Sequence, residues 1–344
     1  MNYRQFGNTD LIVSEIGLGC QSLGGGLYHR DDGMALRTLW RAFEAGITFY
    51  DTSDHYSVGH SEELIGRAFS SRRDRVIISS KAGTRYTRTA RLALHMRPVL
   101  RPVSGLLRPL KLTFGRLRSR QRQSDFSPQY LRHCVEHSLR RLKTDYLDLF
   151  QLHKPPPDIL REAAFLPTLE SLRTQGKIRH YGVACDTVDD ALSCLTMTGI
   201  ASIQVTLNLL DQEAIPRVLP LAKQRNCAVI ARNPRGQGHL TREFADILAE
   251  DYAHDRAAFE EIQHRARKFC FLEKENRTLT QAALQFVRQL AGVSVVIPRA
   301  INKSQLDEIL GTLECPPLSP DELTAISTLS SQMAKPIRRY RYRT

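Results

Sequence analysis

Residues 146–184, YLDLFQLHKPPPDILREAAFLPTLESLRTQGKIRHYGVA, contain the unit that decides the fold. An apolar run at 146–153 is followed by a helix-sized amphipathic segment at 161–175 and by a second apolar run at 178–184. Two buried strands that are joined through a helix normally lie parallel in one sheet. This part of the sequence therefore predicts a strand–helix–strand unit.

The same unit recurs along the chain. Strand-like runs lie at 16–19, 47–51, 75–81, 146–153, 178–184, 202–208, 228–232 and 293–298. Helix-sized segments lie at 33–45, 61–72, 127–142, 161–175, 188–198, 214–225, 278–290, 303–313 and 320–332. In a chain of 344 residues, this alternation favours an α/β fold, a closed (β/α)8 TIM barrel, with a doubly wound parallel sheet as the alternative. Residues 2–13, with a turn at 7–9, predict an N-terminal β-hairpin at the bottom of the barrel, and residues 1–344 are expected to form a single domain.

Composition excludes several classes of protein. The chain is 42% hydrophobic and 25% charged, which is ordinary for a globular protein and unlike a disordered chain, collagen or a small disulfide scaffold. No uncharged apolar stretch reaches the length of about 18 residues that a membrane-spanning helix needs. The N-terminus lacks a secretory signal, and seven scattered cysteines show no metal-binding spacing. These features predict a cytoplasmic protein with reduced thiols and no metal site.

The formal net charge of +13 is unevenly distributed. Residues 82–124 contain ten Arg, one Lys and no acid, and residues 335–344 contain four Arg and one Lys. The sequence therefore predicts a near-neutral barrel with a basic insertion at 82–126 after the third strand and a basic tail at 335–344. A second insertion, at 233–277, follows the seventh strand. Loops after strands lie at the catalytic face of a barrel, so both insertions are expected there as large loops.

Polar residues at the ends of three predicted strands suggest a reaction centre. Asp51, Lys81 and His153 end the second, third and fourth strands, and Tyr56 follows five residues after Asp51. A lysine at the end of a buried strand needs a partner, which Asp51 can provide. The Lys81 cation is expected to lower the pKa of Tyr56 and make it a general acid, while His153 orients the acceptor oxygen.

The motifs around these residues resemble the aldo-keto reductase family. They are DTSDHYSVGHSEE (51–63), VIISSK (76–81) and QLHKP (151–155), supported by YRQFGNTDLIVSEIGLG (3–19), LRTQGKIRHYGVA (172–184), IQVTLNLLD (203–211) and VSVVIP (293–298). The resemblance implies a (β/α)8 barrel that moves a hydride between NAD(P)H and a carbonyl or alcohol. It also implies that Asp51, Tyr56, Lys81 and His153 form the catalytic tetrad, with Tyr56 as proton donor.

The resemblance further implies that a dinucleotide lies extended across the barrel mouth. The residues that match cofactor-binding positions are Gly19, Cys20, Gln21, Asp51, Gln204, Arg232, Asn233, Pro234, Gly236, Gly238, Leu240, Ile297, Arg299, Gln305 and Glu308. Three positions depart from the family pattern. Ala184-Cys185 replaces a Ser-Asn pair, Arg232 replaces a Tyr that stacks on the nicotinamide, and Ile309 replaces an Asn near the adenosine. Because Arg grips phosphate well, Arg299 favours NADPH over NADH.

The basic segment 85–122 mixes Arg with apolar residues, and prolines at 98, 102 and 109 exclude one long helix. Three functions fit this composition: contact with an anionic membrane surface, docking of an acidic protein partner such as a carrier of tethered substrate, or a lid for an anionic substrate. A lid that only packs on the barrel, with its arginines in solvent, also fits this composition. Scarce aromatic residues argue against nucleic acid.

The sequence thus predicts a cytoplasmic NADPH-dependent enzyme that reduces a small-molecule aldehyde or ketone to an alcohol. Peripheral attachment to a membrane stays open. The alternative is a cofactor-binding regulatory or scaffold subunit with little turnover, which the lost Ser-Asn pair, the lost stacking Tyr and the basic segment would suit. Substrate identity, physiological direction and oligomeric state do not follow from the sequence.

Overall fold

The computed structural model of the chain describes residues 1–23, 31–86, 122–241 and 256–333. The strands in these ranges are β1 (Tyr3–Gln5), β2 (Ile12–Ser14), β3 (Leu18–Gly19), β4 (Phe49–Asp51), β5 (Ile77–Ala82), β6 (Thr84–Tyr86), β7 (Arg122–Ser124), β8 (Leu147–His153), β9 (Ile178–Ala184), β10 (Ser202–Thr206), β11 (Ala228–Arg232) and β12 (Val295–Ile297). The helices are α1 (Asp32–Glu44), α2 (His60–Phe69), α3 (Pro128–Leu142), α4 (Pro157–Glu162), α5 (Leu166–Thr174), α6 (Val188–Leu195), α7 (Ala214–Arg217), α8 (Leu219–Gln224), α9 (Arg256–Arg267), α10 (Leu279–Gln289), α11 (Lys303–Gly311) and α12 (Pro320–Gln332).

Eight parallel strands form the central sheet. Their order is β3-β4-β5-β8-β9-β10-β11-β12. Bridges between Ile16 and Val296 and between Gly19 and Arg299 join the last strand to the first. The sheet is therefore closed into the predicted (β/α)8 barrel, and the doubly wound alternative is excluded.

Two predicted helices are each divided in two. The segment predicted at 161–175 forms α4 and α5, with Ala163 between them in the left-handed region at φ 50° and a proline at the start of α5. The segment predicted at 214–225 forms α7 and α8, and Pro220 lies in the first turn of α8. Because proline lacks an N–H and clashes with the preceding turn, it begins a helix more readily than it continues one.

The hairpin of β1 and β2 covers the amino-terminal end of the barrel, as predicted. Its side chains Phe6, Leu11 and Val13 are buried against apolar residues from the beginnings of the barrel strands, including Phe49 and Val295. These residues form a core that is separate from the larger one between strands and helices. The hairpin thus fills the lower end of the barrel with apolar side chains.

A tight turn holds this hairpin against the barrel. Gly7 has φ +56°, and a Cβ atom there would lie 2.6 Å from the backbone nitrogen of Ala228. The adjacent Asn8 N–H donates a hydrogen bond to the Asn226 carbonyl at 2.7 Å. Only glycine combines this conformation with this close approach.

At the opposite end, β6 and β7 form an antiparallel ribbon directly after β5. Gly83 lies under the Phe126 ring, and the Tyr130 hydroxyl donates to the Thr84 carbonyl at 2.9 Å. The ribbon contains both ends of the basic segment predicted at 85–122. The middle of that segment and the basic tail at 335–344 lie outside the described residues, as do residues 242–255 of the second insertion.

Among the described residues, none of the helices is both long and apolar enough to cross a membrane. All seven cysteines are free thiols.

Candidate active site

A buried ion pair lies at the carboxyl ends of β4 and β5. Lys81 Nζ donates to Asp51 Oδ2 at 2.5 Å and to the Thr52 carbonyl at 2.8 Å. Burial acts to lower the pKa of Lys81, but the neighbouring Asp51 carboxylate and Tyr56 outweigh it, so this pKa lies above its ordinary value. Lys81 therefore keeps its charge at neutral pH.

Three further side chains orient the Asp51 carboxylate. Its Oδ1 accepts hydrogen bonds from Gln204 Nε2 at 3.0 Å, from Gln151 Nε2 at 3.3 Å and from the Ser79 hydroxyl at 3.3 Å. The sequence analysis placed Gln204 among the cofactor-binding residues and missed Gln151 and Ser79. Both missed residues lie two positions before a predicted site residue, His153 and Lys81, so strand alternation places each pair on one face. That spacing is the signal that identifies them.

Tyr56 lies in a 3₁₀ turn, Tyr56–Gly59, that follows β4. Lys81 Nζ is 5.3 Å from the centre of the Tyr56 ring. Burial raises the pKa of Tyr56 above its ordinary value, although Lys81 acts to lower it. The expectation that Lys81 would lower the pKa of Tyr56 is therefore wrong. Loss of water around the phenolate raises this pKa by more than the Lys81 cation lowers it. Tyr56 consequently holds its proton, which is the form a proton donor needs.

His153, at the end of β8, faces the same space. Its ring centre lies 6.3 Å from that of Tyr56, with the two rings nearly perpendicular. Burial, reinforced by His55 and by nearby cations, holds the pKa of His153 well below its ordinary value, so the imidazole is neutral at pH 7. Within the described residues, its Nδ1 atom is buried without a hydrogen-bond partner.

His55 is a neighbour that sequence reasoning missed. Its ring centre is 4.7 Å from that of His153 and 4.9 Å from that of Tyr56. It immediately precedes Tyr56 in the loop after β4, and this position beside a predicted site residue is the only signal for it in the sequence.

Arg232 lies across the ends of two neighbouring strands. Its Nη2 donates to the Cys185 carbonyl at 2.6 Å, and its Nε donates to the Thr206 hydroxyl at 3.1 Å. The guanidinium therefore reaches the chain where Ala184-Cys185 stands in place of the family's Ser-Asn pair. These contacts tie Arg232 to both β9 and β10.

A second cationic group lies beside the end of β3. Arg299 Nη1 donates to Gln21 Oε1 at 3.3 Å, and Arg235 donates from Nη2 to the Arg299 carbonyl. In the described part of the chain, Arg299 makes no ion pair with a carboxylate. A Cβ at Gly19 would lie 3.3 Å from Arg299 Cγ, so the backbone and the arginine are close together. Guanidinium and amide donors of this kind fit a phosphate group. Sequence reasoning missed Arg235.

The loop after β11 is tightly folded. Asn233 has φ 53°, and its carbonyl accepts from Gly236 N–H at 2.9 Å and from Asn208 Nδ2 at 3.1 Å. Gly236 and Gly238 have positive φ angles, while Pro234 and Leu240 are buried.

Four other predicted cofactor residues have contacts of their own. The Cys20 carbonyl accepts from the Ser61 hydroxyl at 2.8 Å, and burial raises the pKa of the Cys20 thiol. Ile297 belongs to the apolar core that the β1–β2 hairpin covers. Gln305 Oε1 accepts from the Ile301 N–H at 3.1 Å, and Glu308 Oε1 accepts from the Thr278 hydroxyl at 2.8 Å. Glu308 thus connects α11 to the start of α10, and Gln305 stabilises the turn that leads into α11.

Comparison with known proteins identifies relatives along almost the whole chain. The sequence model of the Aldo/keto reductase family matches residues 15–331. The uncharacterized oxidoreductase YqkF of Bacillus subtilis is 30% identical over 336 residues, which cover 96% of this chain and 97% of that protein. The NADH-specific methylglyoxal reductase of Escherichia coli is 29% identical over 241 residues, 68% of each chain.

A solved structure supports the same relationship. The holo form of aldo-keto reductase AKR11C1 from Bacillus halodurans superimposes with a TM-score of 0.76 at 26% identity, with 100% of both chains covered. Together with the barrel and the length of the sequence match, this shows that the chain is an oxidoreductase belonging to the aldo/keto reductase family.

Proposed function

We propose that this chain reduces the carbonyl group of a small aldehyde or ketone to an alcohol, with NADPH as hydride donor and Tyr56 as proton donor. One observation carries the proposal: a protonated Tyr56 lies between the buried Lys81–Asp51 pair and the neutral imidazole of His153. This is a set of groups suited to protonating an oxygen on which negative charge develops.

Each residue of the group has a distinct role. His153 donates a hydrogen bond that orients the carbonyl oxygen, and Tyr56 transfers its proton to that oxygen as the carbon is reduced. The Lys81 cation stabilises the phenolate that remains, an effect that grows as charge develops. Asp51, fixed by Gln151, Gln204 and Ser79, keeps Lys81 in position. When bound, NADPH supplies the hydride.

The donors at the mouth fit a dinucleotide phosphate. Arg299 and Arg235 provide guanidinium groups close to the end of β3. Arg299 supports a preference for NADPH, since NADH lacks the 2′-phosphate. Because the E. coli relative is NADH-specific, the cofactor preference of this chain has to be measured and does not follow from its relatives.

Substitution of Tyr56 tests the proposal. We expect Tyr56→Phe to lower kcat for an aldehyde by roughly 100- to 10,000-fold, the usual contribution of a general acid. NADPH binding, followed by its fluorescence, should be retained, because the phenol oxygen acts on the substrate. Tyr3→Phe is the matched control, since Tyr3 is 51% exposed on the hairpin. If Tyr56→Phe keeps wild-type turnover, the assignment is wrong.

A panel of aldehydes and ketones addresses the alternative of a scaffold subunit. The observation that favours this alternative is that Arg232 donates to the Cys185 carbonyl, in the segment where Ala184-Cys185 replaces the family's Ser-Asn pair. NADPH binding without any NADPH oxidation across the panel would replace the enzyme proposal with the scaffold.

The remaining expectations from the sequence stay predictions. They are a single barrel domain with insertions at 82–126 and 233–277, a cytoplasmic location, and an acidic partner or anionic membrane surface for residues 85–122. Deleting the residues between β6 and β7 and measuring both vesicle binding and aldehyde reduction would separate docking from catalysis.

A further inference from the structure

The turn that carries Tyr56 has a backbone conformation that its residues disfavour. Ser57 has φ 49° and ψ 33°, Val58 has φ 61° and ψ 42°, and Gly59 has φ 88°. Three consecutive residues are therefore left-handed, and only the glycine adopts this conformation without a steric cost. The cost is largest for Val58, because its branched Cβ crowds the backbone. Such a turn persists only where the surrounding structure holds it.

Arg141, in the last turn of α3, packs against the end of this turn. A Cβ atom at Gly59 would lie 2.7 Å from both Cδ and Nε of Arg141, so the arginine side chain lies directly against the glycine backbone. Gly66 lets the two helices approach this closely, since a Cβ there would lie 2.6 Å from the Arg141 carbonyl oxygen. The crossing of α2 and α3 therefore places Arg141 beside the turn.

A buried carboxylate fixes the position of Arg141. Arg141 Nε donates to Glu62 Oε2 at 2.6 Å, and Glu62 is fully buried. The other oxygen of Glu62 accepts from the Ser80 hydroxyl at 2.5 Å, and Ser80 directly precedes Lys81 in β5. The ion pair of Arg141 and Glu62 thus fastens the end of the turn to the strand that carries Lys81.

We infer that Arg141 is a positioning residue of the reaction, which acts on Tyr56 through Gly59 and the left-handed turn. Without the guanidinium, the turn would relax towards conformations that its residues prefer. The Tyr56 ring would then no longer be held with its centre 5.3 Å from Lys81 Nζ. This inference rests on the proposed role of Tyr56 as proton donor.

Removing the guanidinium tests the inference. Arg141→Met keeps an unbranched side chain against Gly59 but loses the hydrogen bond to Glu62. We expect kcat for an aldehyde to fall by about 10- to 100-fold, the usual effect of misplacing a reacting group by about an ångström. The Kd for NADPH, measured by its fluorescence, should be nearly unchanged, because the arginines proposed to bind the phosphate are untouched.

Substitutions at Val58 separate positioning of Tyr56 from general damage. Asn adopts the left-handed conformation readily, whereas Thr is branched at Cβ like Val and disfavours it. In a Val58→Asn background we therefore expect Arg141→Met to lower kcat by less than about threefold. In a Val58→Thr background, the matched control, the full loss of about 10- to 100-fold should remain.

Each outcome has a definite meaning. Equal losses of kcat in all three backgrounds would show that Arg141 only joins α2 to α3, and no loss in the wild-type background would show that the turn holds itself. Either result would overturn the inference and leave the proposed function intact. If the wild type reduces no aldehyde or ketone of a broad panel, or if Tyr56→Phe keeps full turnover, the proposed function fails and the inference with it.

A second substitution covers the case in which Arg141→Met does not fold because Glu62 loses its cation. Arg141→Lys then takes its place in the same three backgrounds. Lysine retains a positive charge for Glu62 but has neither the Nε donor nor the planar group that packs on Gly59. The same pattern of losses is expected, and equal losses would again overturn the inference.

Discussion

Burial and the Lys81 cation act on the pKa of Tyr56 in opposite directions, and burial prevails. A high pKa keeps the proton on the phenol between turnovers, while Lys81 lowers the cost of releasing it when an acceptor oxygen becomes negative. The residue is therefore a stable acid in the resting protein and a usable one during reaction.

Tyr56 also shows what a sequence can and cannot establish about a single residue. Asp51, Tyr56, Lys81 and His153 were identifiable because each lies at or just after a strand end. The direction of the Tyr56 pKa shift was not predictable from the sequence, because it depends on how much water reaches the ring. His55 and Arg235 were missed for a related reason: their contacts depend on side-chain directions that one-dimensional spacing does not give.

Arg299 offers a prediction at the residue scale. We expect Arg299→Gln to raise the Kd for NADPH by roughly 10- to 100-fold, since a hydrogen bond to a charged group contributes about 1.5–3 kcal/mol. The Kd for NADH should change less than threefold, because NADH has no 2′-phosphate. Fluorescence titration measures both.

Arg173→Gln is the matched control for this titration. It removes an arginine in the last turn of α5, a position at the opposite end of the barrel, where Arg173 pairs with Glu170. Equal weakening of NADPH and NADH by Arg299→Gln would show that Arg299 binds the shared diphosphate and does not select NADPH.

At the scale of elements, alternating apolar and amphipathic segments were enough to locate every barrel strand. The ends and interruptions of the helices were harder to predict from the sequence. The division of two helices at Pro167 and Pro220 follows from proline chemistry, yet a single proline in the first turn and a proline that divides a helix look alike in sequence. The ribbon of β6 and β7 was not predicted, because its two short strands are separated by a long stretch of chain.

The turn that anchors the hairpin gives a prediction at this scale. We expect Gly7→Ala to lower the free energy of unfolding by on the order of 2–4 kcal/mol, because a Cβ would enter the space of Ala228 and Asn226 in addition to straining the backbone. Gly176→Ala is the matched control, since Gly176 has φ +73° but nothing within 4 Å of the new Cβ. Equal losses in the two variants, measured by urea unfolding, would mean that the close approach at Gly7 costs nothing.

At the scale of the whole molecule, buried neutral histidines link stability to pH. Burial lowers the pKa of His239 to about 4, and the pKa of His153 is also lowered. His239 Nδ1 contacts Gln263 Nε2 at 2.9 Å, which joins the loop after β11 to α9. Below its ordinary pKa of about 6.5, the unfolded chain binds a proton that the folded chain does not, so stability falls as pH falls from 6.5 towards 4.

We therefore expect a pH-dependent loss of stability that His239 accounts for in part. Its contribution is about 2 kcal/mol between pH 7 and pH 5, from the linkage relation. In His239→Gln the decrease in the free energy of unfolding over this range should be smaller by about that amount, whatever the variant's stability at pH 7. Urea unfolding at the two pH values measures it, and identical decreases in the two proteins would contradict the assignment.

The hairpin at the lower end has a consequence for traffic through the barrel. Phe6, Leu11 and Val13 fill that end with side chains, while Tyr56, Lys81 and His153 lie at the other. In the described part of the chain, the barrel is therefore closed at its lower end. A substrate that reacts beside Tyr56 and the product that it becomes must both pass through the opposite end, so slow release of the product would delay binding of the next substrate.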